Sequence, residues 1–171
     1  MRYTVSFGIT GRTLAVACTM LFAIVLSSRL TDAAEPVVDQ PLPPIEAAST
    51  MIVPDGFNVT LFAGEPDVMQ PIGFCIDDRG RLWVAEAYNY PHHGTKAGDR
   101  IVILEDTDGD GQHDKRTVFY DQLNYVSGIE VGFGGAWVMS PPYLYFIPDA
   151  DGDDRPDSAP QVLLDGFGNH A

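Results

Sequence analysis

Carboxylates recur at alternate positions in two short stretches, Glu105-Asp106-Thr107-Asp108-Gly109-Asp110-Gly111 and Pro148-Asp149-Ala150-Asp151-Gly152-Asp153-Asp154, placed 43 residues apart. Hard cations such as calcium take about six to eight oxygen ligands, and carboxylates spaced this way along a tight turn can converge on one ion. Asp106, Asp108, Asp110 and Asp114 follow the first, third, fifth and ninth positions of a calcium loop, with Gly111 at the sixth. The twelfth position is Thr117 rather than a bidentate Glu, and strand-like runs flank the loop, so it is not an EF-hand. Asp149, Asp151, Asp153 and Asp157 keep the same spacing in the second loop, where Asp154 replaces the turn glycine. The competing reading is two solvated hairpin turns, because Asp and Gly favour such turns on conformational grounds alone.

Each loop directly follows an apolar run, and a period of about 40 to 50 residues with several short strands per unit is the sequence pattern of β-propeller blades. The repeat extends further, since Gly73-Phe74-Cys75-Ile76-Asp77-Asp78-Arg79-Gly80-Arg81-Leu82-Trp83-Val84 has a counterpart in Gly128-Ile129-Glu130-Val131-Gly132-Phe133-Gly134-Gly135-Ala136-Trp137-Val138. The tryptophans lie 54 apart rather than 43, and the excess falls in an inserted loop between Tyr88 and Asp99. Strands are expected at 73–78, 81–86, 100–105 and 116–120 for one blade, and at 127–131, 136–139, 143–147 and 161–164 for the next. The run Asn58-Val59-Thr60-Leu61-Phe62-Ala63 reads as a ninth, ring-closing strand. The expected fold is therefore all-β, an incomplete β-propeller of two four-stranded blades plus a closing strand, over 56–171. Two blades do not close a ring, which takes at least about four, so the sequence reads as the N-terminal part of a longer protein.

Arg2 and Arg12 precede the apolar stretch 14–26, which fits a secretory leader ending near Ala33 and Ala34. The stretch is short for a membrane span of about 20 residues, and Asp32 or Thr31 makes the cleavage position imperfect, so an uncleaved anchor is the alternative. Export to the periplasm or cell surface follows from residues 1–34. Residues 35–55 hold Pro36, Pro41, Pro43, Pro44 and Pro54 and read as an extended linker. Cys18 falls inside the leader, which leaves Cys75 alone in the mature chain and excludes an internal disulfide. Cys75, between Phe74 and Ile76, reads as a small buried hydrophobe. The whole chain carries 10 basic and 24 acidic residues. Loss of 1–34 removes Arg2, Arg12, Arg29 and Asp32, leaving 7 against 23 and a formal charge of −16. Phosphate backbones need clustered Lys and Arg, so nucleic acid is excluded as a partner.

Other chemistry-bearing residues are sparse. His92-His93 in the inserted loop could bind a metal, although an adjacent pair is more often plain loop. Arg81 and Arg100 could clamp a carboxylate, and surface pairing with nearby acids is the competing expectation. Trp83 and Trp137, recurring at equivalent positions, read as packing between blades.

The ordered set Gly56-Phe57-Asn58-Val59-Thr60-Leu61-Phe62-Ala63-Gly64-Glu65-Pro66, Asp78-Arg79-Gly80-Arg81-Leu82-Trp83-Val84-Ala85-Glu86 with Tyr90-Pro91, and Leu104-Glu105-Asp106-Thr107-Asp108-Gly109-Asp110-Gly111 with Asp114-Lys115 resembles the planctomycete-type membrane-bound dehydrogenases. Their propeller looks like that of soluble quinoprotein glucose dehydrogenase. The resemblance covers about 54–170. It implies an exported oxidoreductase of a sugar or alcohol, with pyrroloquinoline quinone as cofactor and electrons passed to a haem c domain or cytochrome c acceptor beyond the present sequence. In that family a His follows the Gly-Phe-Gly segment, and the matching residue is His170, the implied general base. A noncatalytic propeller, stabilised by calcium and binding a polysaccharide or protein at the cell surface, is the alternative.

Overall fold

The computed structural model describes residues 40–91 and 97–168. The chain from Leu42 onward forms one compact unit. Its first element is a short helix, α1 (Pro44–Thr50). This corrects the expectation of a wholly extended linker: Pro44 occupies the first turn, where its missing N–H breaks no helical bond and its fixed φ suits the helix. Pro44 then packs so tightly on Gly64 that a Cβ there would lie 2.6 Å from the Pro44 Cβ.

Eight strands follow, in two four-stranded antiparallel sheets with sequential order. The first sheet holds β1 (Pro71–Ile76), β2 (Leu82–Glu86), β3 (Asp99–Glu105) and β4 (Lys115–Leu123). The second holds β5 (Gly128–Val131), β6 (Gly135–Ser140), β7 (Tyr143–Pro148) and β8 (Gln161–Leu164). All eight agree with the expected strands, with ends displaced by at most three residues. The period-two side-chain pattern explains that agreement, since β6 alternates half-buried and buried positions from Gly135 to Ser140. Within the first sheet Trp83 lies opposite both Cys75 and Ile103, which stacks one apolar row across three strands.

The sheets meet face to face. Cys75, Trp83, Ile101, Ile103 and Phe119 of the first pack with Ala136, Val138 and Ile147 of the second in one buried cluster. Trp83 meets Phe119 edge-on with ring centroids 4.9 Å apart, the favoured geometry for aromatic quadrupoles. Cys75 is buried as expected, and burial pushes its thiol pKa up to about 11.

The opposite face of the first sheet presents Val84, Val102 and Leu104, covered by Phe62, Ala63 and Val68. Here the structure corrects the ninth strand: 58–63 forms no strand. The segment is tied at Phe62, whose carbonyl accepts the His113 main-chain N–H at 3.0 Å and lies 2.9 Å from His113 Nδ1. Side-chain burial therefore holds this segment where ladder pairing was expected. Two buried carboxylates fix neighbouring connections. Glu86, fully buried, accepts from Met69 N at 2.8 Å and from Arg116 Nη2 at 3.1 Å. Asp99 accepts from Asn89 N at 2.8 Å and Val126 N at 2.9 Å, joining the chain before β3 to the crossing into the second sheet.

Among the described residues no helix is long and apolar enough to cross a membrane. The leader 1–34, Cys18, His92, His93 and His170 lie outside the described residues.

Candidate cation loops and the cleft beside them

The two acidic stretches connect β3 to β4 and β7 to β8, the same position in each sheet. Their frames share three main-chain donor bonds. Asp114 N donates to Glu105 O at 3.0 Å, and Asp157 N to Pro148 O at 2.8 Å. Thr107 N donates to Asp114 Oδ2 at 3.0 Å, and Ala150 N to Asp157 Oδ2 at 2.7 Å. Gln112 N donates to Asp110 Oδ1 at 2.8 Å, and Arg155 N to Asp153 Oδ1 at 2.9 Å.

Within these frames Asp106, Asp108 and Asp114 each place a carboxylate oxygen within 4.8 Å of the others, as do Asp149, Asp151 and Asp153. Calcium–oxygen bonds of about 2.3–2.6 Å put opposite ligands up to about 5 Å apart, so both sets fit one hard cation. The converging carboxylates are the first, third and ninth of the expected quartet positions in the first loop and the first, third and fifth in the second, so the two loops do not present the same three positions.

The loops differ in electrostatics. Asp106 accepts from Gly111 N at 2.8 Å and Gly109 N at 2.6 Å, and these N–H donors hold its pKa below the ordinary carboxylate value. Asp149 is only 7% exposed, and burial pushes its pKa up despite a hydrogen bond from Asp153 N.

They differ also at the turn residue. Gly111 has φ 86° and Asp154 has φ 69°, both in the left-handed region that favours glycine. Asp154 is tolerated there because its carboxylate receives Arg81 from the first sheet, Nη1 at 2.8 Å from Oδ1 and 2.7 Å from Oδ2. Arg81 is 3% exposed and also donates Nε to Asp77 Oδ2 at 2.8 Å. Trp83 Nε1 donates to that same oxygen at 3.0 Å. Burial opposes ionisation of Asp77, yet the Trp83 and Arg81 hydrogen bonds outweigh it and lower the pKa. This Asp77–Arg81–Asp154 chain crosses the seam between the sheets, which corrects the expectation of surface pairing for Arg81. Arg100 is partly exposed, with its guanidinium 4.3 Å over the Tyr88 ring and Nε 3.9 Å from Glu86.

Trp83 is interior, as expected. Trp137 is half-buried against Phe146 at 5.1 Å, on the face of the second sheet turned away from the seam. Sequence reasoning missed Glu86, Asp99 and the partnership of Arg81 with Asp154. The departure from glycine at 154 was the visible signal for the last.

A cleft of about 350 Å³ lies between the β1–β2 and β5–β6 turns, beside the second loop. Arg79 and Arg81 line it, with Phe133 at the tip of the β5–β6 turn.

No curated protein and no solved structure matches the chain. One family profile, described as a domain of unknown function, DUF7133, matches residues 43–171, which takes in α1, both sheets and both acidic loops. The chain belongs to the DUF7133 family.

Proposed function

We propose that the two sheets are blades of a propeller-type domain whose rim loops bind divalent cations, calcium by preference, and that cation loading rigidifies the loops. The observation that carries this reading is the repetition: two loops 43 residues apart share one hydrogen-bond frame and each converges three carboxylates within 4.8 Å. Calcium is favoured over magnesium because three carboxylates on a solvent-facing turn, completed by water and main-chain carbonyls, suit a large cation with flexible coordination. The affinity expected of such an open loop is about 10⁻⁴–10⁻³ M, the range of extracellular modules. Calorimetric titration of the full chain tests it. Calcium should bind with magnesium weaker, and Asp106→Asn should remove one component of the binding heat. Absence of any calcium heat would refute it.

A second reading is the exported sugar or alcohol dehydrogenase, favoured by the two blade-like sheets that such a protein calls for. Calcium would there stabilise the rim, and a quinone would supply the electrophile that accepts hydride. His170 is the proposed base, in the periplasm or at the cell surface. Two blades alone are not expected to be active, so a dye-reduction assay of the protein with its further blades, reconstituted with pyrroloquinoline quinone, with and without His170→Ala, tests this reading independently of cation binding.

A further inference from the structure

The seam between the sheets joins two different faces, and each face has a repeat-related counterpart on the outer surface of the molecule. On the first sheet the seam uses the face of Trp83, which lies opposite Cys75 and Ile103. Trp137 holds the same register in the second sheet, opposite Glu130 and Phe146, but its face is turned outward. Leu164, opposite Leu144 at the edge of that outward face, is 54% exposed.

On the second sheet the seam uses the other face, where Val138 is buried and Ile129 and Val131 pack beside it. Ile129 lies opposite Val138, and Val131 opposite Ala136. Phe74, opposite Val84, and Ile76, opposite Leu82, hold the matching register in the first sheet. There they stand 68% and 63% exposed, with Ile72 following them along β1. An uncovered row of large apolar side chains marks an interaction surface. The segment 62–68 covers the neighbouring part of this face, over Val84, Val102 and Leu104, and leaves β1 open.

We propose that a second copy of this chain docks head to tail, its Trp137 face seated on β1 and the flank of the 62–68 segment. The packing within one chain shows what covers faces of this kind. The Trp83 face of the first sheet is buried by Ile129, Val131 and Val138 of the second, and the two outer surfaces repeat that pair with Trp137 on one side and Phe74 and Ile76 on the other. Glu130 in the place of Cys75 makes the new contact more polar at its β5 edge. The two surfaces differ and lie on opposite sides of the sheet pair, so the contact is heterologous and closes into a ring when the rotation per copy permits. Propellers hold about four to eight blades, so copies carrying two sheets close at about two to four. The proposal rests on the blade reading given above and not on cation binding, so its test is run in chelator and the calcium titration stands apart from it.

The measurement is the mass of the full chain in solution by light scattering and sedimentation. A discrete species of about two to four chain masses is expected. Phe74→Asp and Trp137→Asp should each reduce it to the single chain, because each removes one side of every contact. Mixed in equal amounts they should regain a species of two chain masses, since one intact surface remains on each. Leu164→Asp, on the exposed edge of the same face, replaces Trp137→Asp if that variant loses its β-sheet circular dichroism. A monomeric native chain would overturn the proposal and leave these faces to other sheets. Association that persists in either variant alone would also overturn it, as a symmetric contact or one through residues 14–26 would do, and so would a mixture that stays monomeric.

Discussion

The β3–β4 and β7–β8 loops share a frame but not a role. The first keeps glycine at its left-handed position and surrounds Asp106 with main-chain N–H donors, so its charge is satisfied locally. The second gives the same position to Asp154 and commits that carboxylate to Arg81 of the other sheet, while Asp149 sinks into the protein. A repeated turn can therefore satisfy its charge locally in one copy and tie the two sheets together in the next. The exchange needs two linked changes, a guanidinium at 81 and a carboxylate at 154.

The largest effect should come from breaking the seam. Arg81→Ala leaves Asp77 and Asp154 without their buried partner, and removal of one member of such a pair costs about 3–5 kcal/mol. Urea unfolding should show the loss, and Arg81→Met combined with Asp154→Gly should restore most of it, because the Asp154 charge is then removed with its partner and the left-handed residue is glycine. If the double variant is as unstable as the single, the ion pair is not what holds the loop.

Moving the second loop's turn residue into the first gives the next effect. Gly111→Asp should destabilise by about 1–2 kcal/mol, since an L-residue at φ 86° is strained and the Arg81 partnership belongs to the second loop. A neutral result in thermal unfolding would remove the distinction drawn between the two positions.

The pH behaviour of the loops should run in opposite directions, with a smaller effect on stability. Asp106 has a folded pKa below its unfolded value, so its contribution is full above the unfolded value and is lost as pH falls through the folded one. Asp149 has a folded pKa above its unfolded value, so its penalty applies at neutral pH and is relieved as pH falls through the raised value towards the unfolded one. Carboxyl NMR of the cation-free protein should place Asp149 above about 3.9 and Asp106 below it. Coincident titrations would contradict the contrast.

Much of this was legible in the sequence, because strands with one face buried write a period of two into their residues and the loops between them repeat almost verbatim. Alternate spacing pairs Asp106 with Asp108 and Asp149 with Asp151 and Asp153, whereas Asp114, six residues after Asp108, joins its group only through the turn. What stayed hidden depends on contacts between distant positions. The segment 58–63 has strand-like composition, but its place is set by Phe62 on Val84 and Val102 and by His113. Arg81 and Asp154, 73 positions apart, meet only because the sheets pack face to face. Pro44 read as a linker residue, yet at the first turn of a helix it is favourable.

Cation binding at the rim is tested most directly by a crystal structure grown with calcium. An anomalous peak is expected in the β3–β4 loop, with oxygens of Asp106, Asp108 and Asp114 at about 2.3–2.6 Å. Well-ordered carboxylates there around a water, with no ion in saturating calcium, would contradict it.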